Sequence, residues 1–312
     1  MSRKRILVIG SASMDLSINM YKIPERGETI IDDGGVAYTP GGKGANTAVA
    51  IAKLGADALF SAKLGADLHG QKLYNYYKEN GISTSFVKVD REQPTGLAVV
   101  MKEGDGENRI VVYPGANSYL TKDAVEEAIS SAPDAVYLGF EIPFDIALYA
   151  ARIAKERNIP VFIDAAPANK EHDLEALPEV EVFSPNESEM LEYTGIAPTT
   201  MEACLRASLA LYRRVKCKYI VIKLGSRGAF IYDGKRYSQA PAYRAGVTVD
   251  TTAAGDAFGA ALVIEYLYNG GDIKGAVKYA AAAGAIAVTR HGASAAMPTA
   301  DEVEALMASA LM

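Results

Sequence analysis

The amino-acid sequence predicts an α/β fold with a central, mostly parallel sheet and a small second β-sheet. Short apolar runs alternate with segments of helical period, which is typical of a parallel sheet covered by helices on both faces. Two stretches early in the chain have strand patterns with no helix between them. The length of 312 residues suits one large α/β domain with a smaller appendage.

The strands of the central sheet are expected at the apolar runs. Right-handed crossovers between parallel strands would bring ligand groups to the carboxyl ends of these strands. The runs are Ile6–Ile9, Ala58–Lys63, Ala135–Leu138, Val161–Ile163, Tyr219–Ile222 and Ala229–Tyr232.

The small sheet is expected from about residues 15–38 and 97–112, inserted in a single domain that spans residues 1–312. The second stretch has the pattern of a hairpin whose strands join around Gly104, Asp105 and Gly106. Such a sheet could cover the crevice at the strand ends as a lid, or join the sheet edge of a partner subunit.

Composition indicates a soluble globular protein, since 49% of the residues are hydrophobic and 22% are charged. The net charge is −6, the sequence pI is near 5.3, and no dense Lys/Arg stripe is present, so no nucleic-acid partner is expected. The N-terminal apolar run ILVIG is too short for a signal sequence or a membrane span, so no membrane association is expected.

Cysteine and histidine usage argues against a metal centre built from these residues. Cys204 and Cys217 show no CxxC spacing and are interpreted as buried thiols in a reducing compartment, which predicts a cytoplasmic location. His69, His172 and His291 are scattered and form no HxxxH or HExxH pair.

The segment VDTTAAGDAFGAAL, Val249–Leu262, has the pattern of an anion-binding helix start. The small residues Ala253, Ala254 and Gly255 precede an apolar helical pattern, and the first amides of a helix have no internal partner. Asp256 lies within this positive end, where a carboxylate could take a proton from an attacking hydroxyl. The alternative is that Asp256 only caps the helix.

A second glycine-rich helix start, PGGKGAN, spans residues 40–46. Lys43 and Asn46 offer polar groups that suit sugar hydroxyls, although the glycines could serve close packing alone. It is not a Walker A loop, because Gly44 follows Lys43 where Ser or Thr is needed. Asp15 follows the first strand and is either a ligand group or a turn residue.

Two further segments could meet a nucleotide. Asn186 and Glu189 in SPNESE share a helix face and either cap that helix or help to hold a hydrated Mg²⁺. In KLGSRG, Gly225 and Gly228 lie in a predicted turn between two strands, which either exposes amides to a nucleotide or is a plain tight turn.

Taken in order, these motifs resemble the phosphofructokinase-B-type family of sugar kinases, and within it the ribokinase group. The resemblance covers nearly the whole chain, from GSASMD through PGGKGAN, GDGENRIVVYPGAN, FEIP, APA, SPNESE, KLGSRG and DTTAAGDAFGAAL to AIAVTRHGA. It implies a ribokinase-like three-layer α/β fold with a β-sheet lid that commonly pairs in a homodimer. It also implies ATP-dependent phosphorylation of a primary hydroxyl of a small sugar.

The resemblance assigns roles residue by residue. Asp256 corresponds to the base, with the amides of Ala253, Ala254 and Gly255 as the anion hole. The sugar-binding positions are Ser13, Asp15, Gly41, Gly42, Lys43, Asn46 and Glu141. The ATP and Mg²⁺ positions are Asn186, Glu189, Lys223, Gly225, Ser226, Gly228 and Gly255. The loops for an activating monovalent cation, usually K⁺, contain Asp250, Thr252, Ala287, Arg290, Gly292 and Ala296.

Three positions depart from the ribokinase pattern. Ser13 replaces a sugar-contacting Asn, Lys223 replaces a common Thr and could bring a cation near the ATP phosphates, and Ala296 lacks a side-chain oxygen. The expected reaction is phosphorylation of the 5-hydroxyl of D-ribose. Because of Ser13, a kinase for deoxyribose, a ketohexose derivative or a nucleoside is the alternative. A non-catalytic sugar-binding regulator and a dinucleotide-dependent oxidoreductase are the remaining alternatives, and the latter lacks the glycine fingerprint after the first strand.

Overall fold

Two β-sheets organise the chain in the computed structural model, which describes residues 3–103 and 108–310. The larger sheet has nine strands and the smaller has four within these ranges. The strands are β1 Arg5–Ile9, β2 Ser13–Met20, β3 Val36–Gly41, β4 Asp57–Gly65, β5 Ser83–Asp90, β6 Gly96–Glu103, β7 Asn108–Tyr113, β8 Ala135–Leu138, β9 Val161–Asp164, β10 Val180–Ser184, β11 Cys217–Lys223, β12 Ala229–Tyr232 and β13 Tyr237–Ala240.

Helices connect most of the strands of the larger sheet. In the described ranges they are α1 Lys43–Lys53, α2 Leu68–Glu79, α3 Lys122–Ile129, α4 Phe144–Glu156, α5 Glu187–Thr194, α6 Met201–Tyr212, α7 Ala254–Tyr268, α8 Ile273–Ala287 and α9 Ala300–Ser309. Short 3₁₀ turns occur at Gly115–Tyr119, Leu174–Ala176, Gly225–Arg227 and Ser294–Ala296. None of these helices is long and apolar enough to cross a membrane.

The larger sheet confirms the predicted α/β class. Its strand order is β13-β12-β11-β10-β9-β8-β1-β4-β5, and the pairs are parallel except at β11-β12 and β12-β13. The chain runs outward from β1 in one direction through β4 and in the other through β8, so the order reverses beside β1. Ligands of open α/β sheets bind at such a reversal, outside the carboxyl ends of the strands.

Each face of the larger sheet has its own hydrophobic core. Side chains alternate along β1, so Ile6 and Val8 pack into one core while Leu7 and Ile9 pack into the other. Helices α1, α7 and α8 contribute to the first core, and α4 and α6 contribute to the second. Helix α7 has buried residues around most of its circumference, which explains why its sequence is apolar on nearly every side.

The smaller sheet has the order β3-β2-β6-β7. Strands β2 and β6 pair in parallel, and β6 and β7 form the predicted antiparallel pair. The turn expected around Gly104–Gly106 lies outside the described residues. The strands extend to Ser13, Gly41 and Tyr113, beyond the expected bounds, and no strand or helix lies between β2 and β3.

Helix α1 and the end of β1 approach each other very closely. A Cβ atom built on Gly44 would lie 2.7 Å from the Cα of Gly10, so both positions require glycine for this packing. The close approach brings the first turn of α1, which includes Lys43 and Asn46, to the carboxyl end of β1. The glycine-rich motif therefore has a packing function in addition to any ligand function.

Candidate active site

The start of α7 lies at the centre of the site. Ala253 adopts a left-handed conformation, with φ 60° and ψ 10°, and the helix begins at Ala254. Asp256 is the third helical residue and is only 2% exposed. Its carboxylate does not cap the helix; instead, its Oδ2 accepts a hydrogen bond from Asn46 Nδ2 at 2.9 Å. The capping alternative for Asp256 is therefore wrong.

The amides of Ala253, Ala254 and Gly255 lie at the same helix start as Asp256. The Ala254 amide donates a long hydrogen bond of 3.4 Å to the Thr251 carbonyl, so an anion would compete with that contact. Ala253, Ala254 and Gly255 are each half-buried, so the positive end of the helix remains accessible to a ligand.

The predicted sugar-binding residues come together beside Asp256. The backbone amide of Lys43 donates to Glu141 Oε2 at 2.9 Å, and Ser11 Oγ donates to the same oxygen at 2.5 Å. Ser13 Oγ donates to Asp15 Oδ1 at 3.2 Å. The contacts of Glu141 join the end of β1, the start of α1 and the segment after β8. Asp15 of strand β2 lies close enough for its charge to interact with those of Glu141 and Asp256.

Gly41 and Gly42 make room for this cluster. Gly41 pairs with Ser13 across β2 and β3, and a Cβ atom at Gly41 would lie 2.1 Å from Asp15 Oδ1. Gly42 has φ 90°, a conformation that side-chain-bearing residues rarely adopt. Both glycines are therefore required by the backbone and the neighbouring carboxylate, whether or not they contact a ligand.

Burial sets the electrostatics of the sugar side. Burial raises the pKa of Asp256 to about 6, although the Lys43 ammonium and the Asn46 hydrogen bond favour its ionised form. Burial also raises the pKa of Asp15 to about 6, against the hydrogen bond from Ser13. The pKa of Lys43 is raised, mainly by the charge of Asp256. A carboxylate with this pKa is a suitable general base near neutral pH.

Asn186 and Glu189 form a capping box at the start of α5. The Asn186 amide donates to Glu189 Oε2 at 2.7 Å, Asn186 Nδ2 donates to Glu189 Oε1 at 2.7 Å, and the Glu189 amide donates to Asn186 Oδ1 at 2.8 Å. The capping alternative is therefore confirmed for this pair. Burial raises the pKa of Glu189, and the charges of Lys223, Asp164 and Lys43 act on it.

Lys223 lies at the end of β11, next to the other nucleotide-side residues. Its Nζ is 2.9 Å and 3.0 Å from the two carboxylate oxygens of Asp164. The turn from Gly225 to Gly228 follows, with φ 53° and φ 84° at its two glycines. Gly225 and Ser226 are exposed, so the turn could contact a ligand.

The predicted cation loops also come together. Asp250 Oδ1 accepts from the amide and hydroxyl of Thr252, at 2.9 and 2.5 Å, and its Oδ2 accepts from the Gly292 amide at 3.2 Å. The Arg290 amide donates to the Ala287 carbonyl at 3.2 Å, while its guanidinium pairs with Glu302. Ala296 ends the 3₁₀ turn that begins at Ser294. Within residues 3–103 and 108–310, no group of three or more His, Cys, Asp or Glu side chains is arranged to hold a metal ion.

A sequence profile described as "pfkB family carbohydrate kinase" matches residues 3–300 of the chain. The chain belongs to the pfkB family of carbohydrate kinases. Among pfkB kinases, the ribokinase of Bacillus subtilis (strain 168) is 34% identical over 309 residues, covering 97% of this chain and 99% of that protein. A bifunctional ribokinase/ribose-5-phosphate isomerase A of Fructilactobacillus sanfranciscensis is 34% identical over 303 residues, and the chain spans 55% of that protein.

A solved pfkB kinase has the same fold. The structure of Arabidopsis thaliana ribokinase complexed with ribose and ATP superposes with a TM-score of 0.88 and 31% identity, covering 98% of this chain and 99% of that one. The likeness confirms the predicted ribokinase-like α/β fold with a large, mostly parallel sheet and a smaller one.

Three residues of this pfkB site, Ser11, Asp164 and Tyr137, were not singled out from the sequence. Asp164 pairs with Lys223, and Tyr137 OH donates to Asp164 Oδ2 at 3.4 Å. Asp164 directly follows the predicted strand Val161–Ile163, so the rule that ligand groups follow parallel strands would have found it. Tyr137 lies inside a strand, and no sequence signal distinguishes it from a core tyrosine.

Proposed function

We propose that the chain phosphorylates the 5-hydroxyl of D-ribose with ATP, giving ribose 5-phosphate and ADP. The observation that carries the proposal is the buried carboxylate of Asp256 at the amide-rich start of α7, beside a polar cluster suited to a sugar. Membership of the pfkB family and the likeness to ribokinases support the same reaction.

The polar groups beside Asp256 fit a molecule rich in hydroxyls. Asn46 is 5% exposed, and its side-chain carbonyl oxygen has no hydrogen-bond partner among the described residues. A buried acceptor without a partner is costly, and a sugar hydroxyl would supply the missing hydrogen. The carboxylates of Asp15 and Glu141 are half-buried acceptors nearby.

The chemistry requires one base and a site for negative charge. The carboxylate of Asp256 takes the proton of the sugar hydroxyl. At the same time, the oxygen of that hydroxyl bonds to the γ-phosphorus of ATP. The bond from that phosphorus to the β,γ-bridging oxygen breaks, and ADP leaves with the electron pair. Amides at the start of α7 stabilise charge on the transferred group, so positioning and electrostatics suffice without a covalent enzyme intermediate.

The nucleotide and its ions would be held on the other side of Asp256. Asn186, Lys223, Gly225, Ser226 and Gly228 offer an amide, a cation and turn amides to ATP. For Mg²⁺, Glu189 offers the oxygen chemistry that a hard cation prefers, but both of its oxygens accept hydrogen bonds from Asn186, which favours binding through water.

A monovalent cation such as K⁺ would be held by oxygens of the two neighbouring loops. The donors are the Asp250 carboxylate and the backbone carbonyls of Thr252, Ala287, Arg290, Gly292 and Ala296. When bound, such an ion would add positive charge close to the start of α7. This donor set consists of oxygens only and fits an alkali cation.

The second candidate function is phosphorylation of another small sugar or a nucleoside by the same residues. The Ser13 hydroxyl donates to Asp15, so its hydrogen is already used within the protein. Weaker hydrogen-bond recognition of the substrate relaxes discrimination between related compounds.

We also infer that the smaller sheet, from about residues 15–38 and 97–112, is a lid inserted in a single domain of residues 1–312 and forms a homodimer interface. Strand β7 is one of the two edges of that sheet, and Ile110, Val111 and Val112 are 55%, 60% and 58% exposed. An exposed apolar edge strand favours pairing with another chain. Light scattering should give the dimer mass, and the Val111→Lys variant should be monomeric.

The use of ATP and the two free cysteines favour a cytoplasmic location.

The deciding assay measures ADP release from MgATP with D-ribose, 2-deoxyribose, fructose and adenosine, in potassium and in sodium buffer. The proposal predicts the highest kcat/KM with ribose and higher activity in potassium. A different best substrate would favour the second candidate. Sugar binding without ADP release would favour a regulator that only binds sugar.

A further inference from the structure

Asp164 and Lys223 form a buried ion pair across the ends of three strands. Asp164 is the last residue of β9 and Lys223 the last of β11, and β10 lies between these strands. The ammonium is within 3.0 Å of both carboxylate oxygens, and the side chains of Lys223 and Asp164 are 12% and 6% exposed. The pair therefore has a fixed geometry and little access to solvent.

The ammonium of Lys223 lies against the start of α7. A Cβ atom built on Gly255 would be 3.6 Å from Lys223 Nζ. A cation at the positive end of a helix dipole is unfavourable for stability by itself. Asp164 offsets this repulsion in the protein alone, and a phosphoryl group at the helix start would offset it further.

The two lysine side chains of the site lie among several carboxylates, on different sides of Asp256. Within the described part of the site, the ammonium groups of Lys43 and Lys223 interact with the carboxylates of Glu141, Asp164, Glu189 and Asp256. Lys43 interacts most strongly with Asp256, on the sugar side. Lys223 lies on the nucleotide side, where ATP would bring further negative charge.

We propose that Lys223 is a catalytic residue that contacts the transferred γ-phosphoryl group, and that Asp164 is a positioning residue that holds its ammonium at the start of α7. The proposal rests on the proposed kinase function and extends it. Asp164 contacts no reacting group in this proposal and orients Lys223, although its charge, in addition to burial, also raises the pKa of Asp256. The variants are therefore compared above pH 7, where Asp256 is ionised. Tyr137 supports this orientation through its hydroxyl contact with Asp164.

The first test uses three variants: Lys223→Met, Asp164→Asn and the double variant. Removing a preorganised charge at a developing oxyanion lowers kcat by about 10²-fold, so Lys223→Met should do so with a sugar KM within about threefold of the wild type. Asp164→Asn should lower kcat about tenfold. In the Lys223→Met background it should lower kcat no further, because its effect passes through Lys223.

The second test is binding, which needs no turnover. Lys223→Met should weaken the β,γ-imido analogue of ATP about tenfold more than it weakens ADP, because only the analogue carries a γ-phosphate. The double variant, which leaves no unpaired buried charge, shows whether a loss arises from misfolding of a single variant. Lys218→Met is the matched control. Lys218 lies about 17 Å away on the same strand, β11, and pairs with Glu181.

Two outcomes would overturn the proposal. Equal weakening of the analogue and of ADP would remove Lys223 from the γ-phosphate. Independent, multiplicative losses in the double variant would show that Asp164 does not act through Lys223. If the wild type binds the analogue but phosphorylates no sugar, the kinase function fails while the binding test still decides the position of Lys223.

Discussion

The two sides of Asp256 differ in how their polar groups are paired. On the sugar side, the Asn46 carbonyl oxygen has no partner among the described residues, and burial holds the pKa of Asp15 and of Asp256 near 6. On the nucleotide side, Glu189 is bonded through a capping box and Asp164 through Lys223. The sugar side therefore keeps one buried acceptor open for an incoming ligand, whereas Glu189 and Asp164 on the nucleotide side have both carboxylate oxygens paired.

The largest effect on kcat is expected at Asp256, which lies between the sugar side and the nucleotide side. Asp256→Asn should lower kcat by about 10²–10⁴-fold, because the amide cannot accept the proton of the sugar hydroxyl. Steady-state ADP release is the measurement. Asp272→Asn is the control, since Asp272 caps α8 and asparagine is an equally good cap. An Asp256→Asn enzyme with full kcat would remove Asp256 from the chemistry.

A smaller effect, on KM, is expected when a residue of the sugar side is changed. Asn46→Ala removes the open acceptor and the donor to Asp256, so the sugar KM should rise by roughly 10- to 100-fold, as expected for lost hydrogen bonds to a polar ligand. The KM for ATP should stay within about threefold. Ser226→Ala, on the exposed turn after β11, should leave the sugar KM unchanged. Equal changes in both KM values would contradict the division of the site.

The pH dependence of kcat/KM for the sugar should report mainly Asp256 and Asp15. Asp256 must be ionised to act as a base, and burial raises its pKa to about 6. The kcat/KM for the sugar should therefore be constant above about pH 7 and fall at least tenfold per unit below pH 6. Asp15 titrates in the same range and should steepen the fall, and Asp15→Asn should reduce the steepness. A profile that stays flat down to pH 5 would contradict this origin of the pKa values.

The smallest effects concern stability and should have opposite signs on the two sides. A raised pKa means that folded Asp256 binds its proton more tightly than the unfolded chain, so stability falls as pH rises from about 4 to 6. Asp256→Asn should therefore raise the free energy of unfolding at pH 7.5 by roughly 2–3 kcal/mol, with little change near pH 4. Asn186→Ala, which removes the cap of α5, should lower it by about 1 kcal/mol. Urea unfolding of the ligand-free variants measures both, and two changes of the same sign would contradict the comparison.

Much of the fold could be predicted because periodicity reports burial directly. All six predicted sheet strands lie within observed strands, and the helices predicted after PGGKGAN and after Gly255 are observed, although they begin earlier, at Lys43 and Ala254. Strands β5, β10 and β13 were not predicted. Strands β5 and β13 lie at the two edges of the sheet and are partly exposed, and β10 has a glutamate within it, so none is a continuous apolar run.

The candidate site could be predicted only where a local motif carries it. The sugar-side residues stand in short motifs such as PGGKGAN, and a motif keeps its residues together. Asp164 and Lys223 are 59 residues apart in sequence and meet only because β9 and β11 flank β10. Strand order depends on the whole chain, so the ion pair could not be read from either segment.

The close packing of Gly10 against Gly44 limits how this enzyme can be redesigned. A side chain at either glycine would push α1 away from β1 and displace Lys43 and Asn46 with it. Gly41 is similarly blocked by the Asp15 carboxylate. Ser13, which pairs with Gly41 across β2 and β3, already carries a side chain, and its hydroxyl donates to Asp15 within the site. A mutant library that seeks new acceptor sugars should therefore randomise position 13 first and keep the glycine scaffold intact.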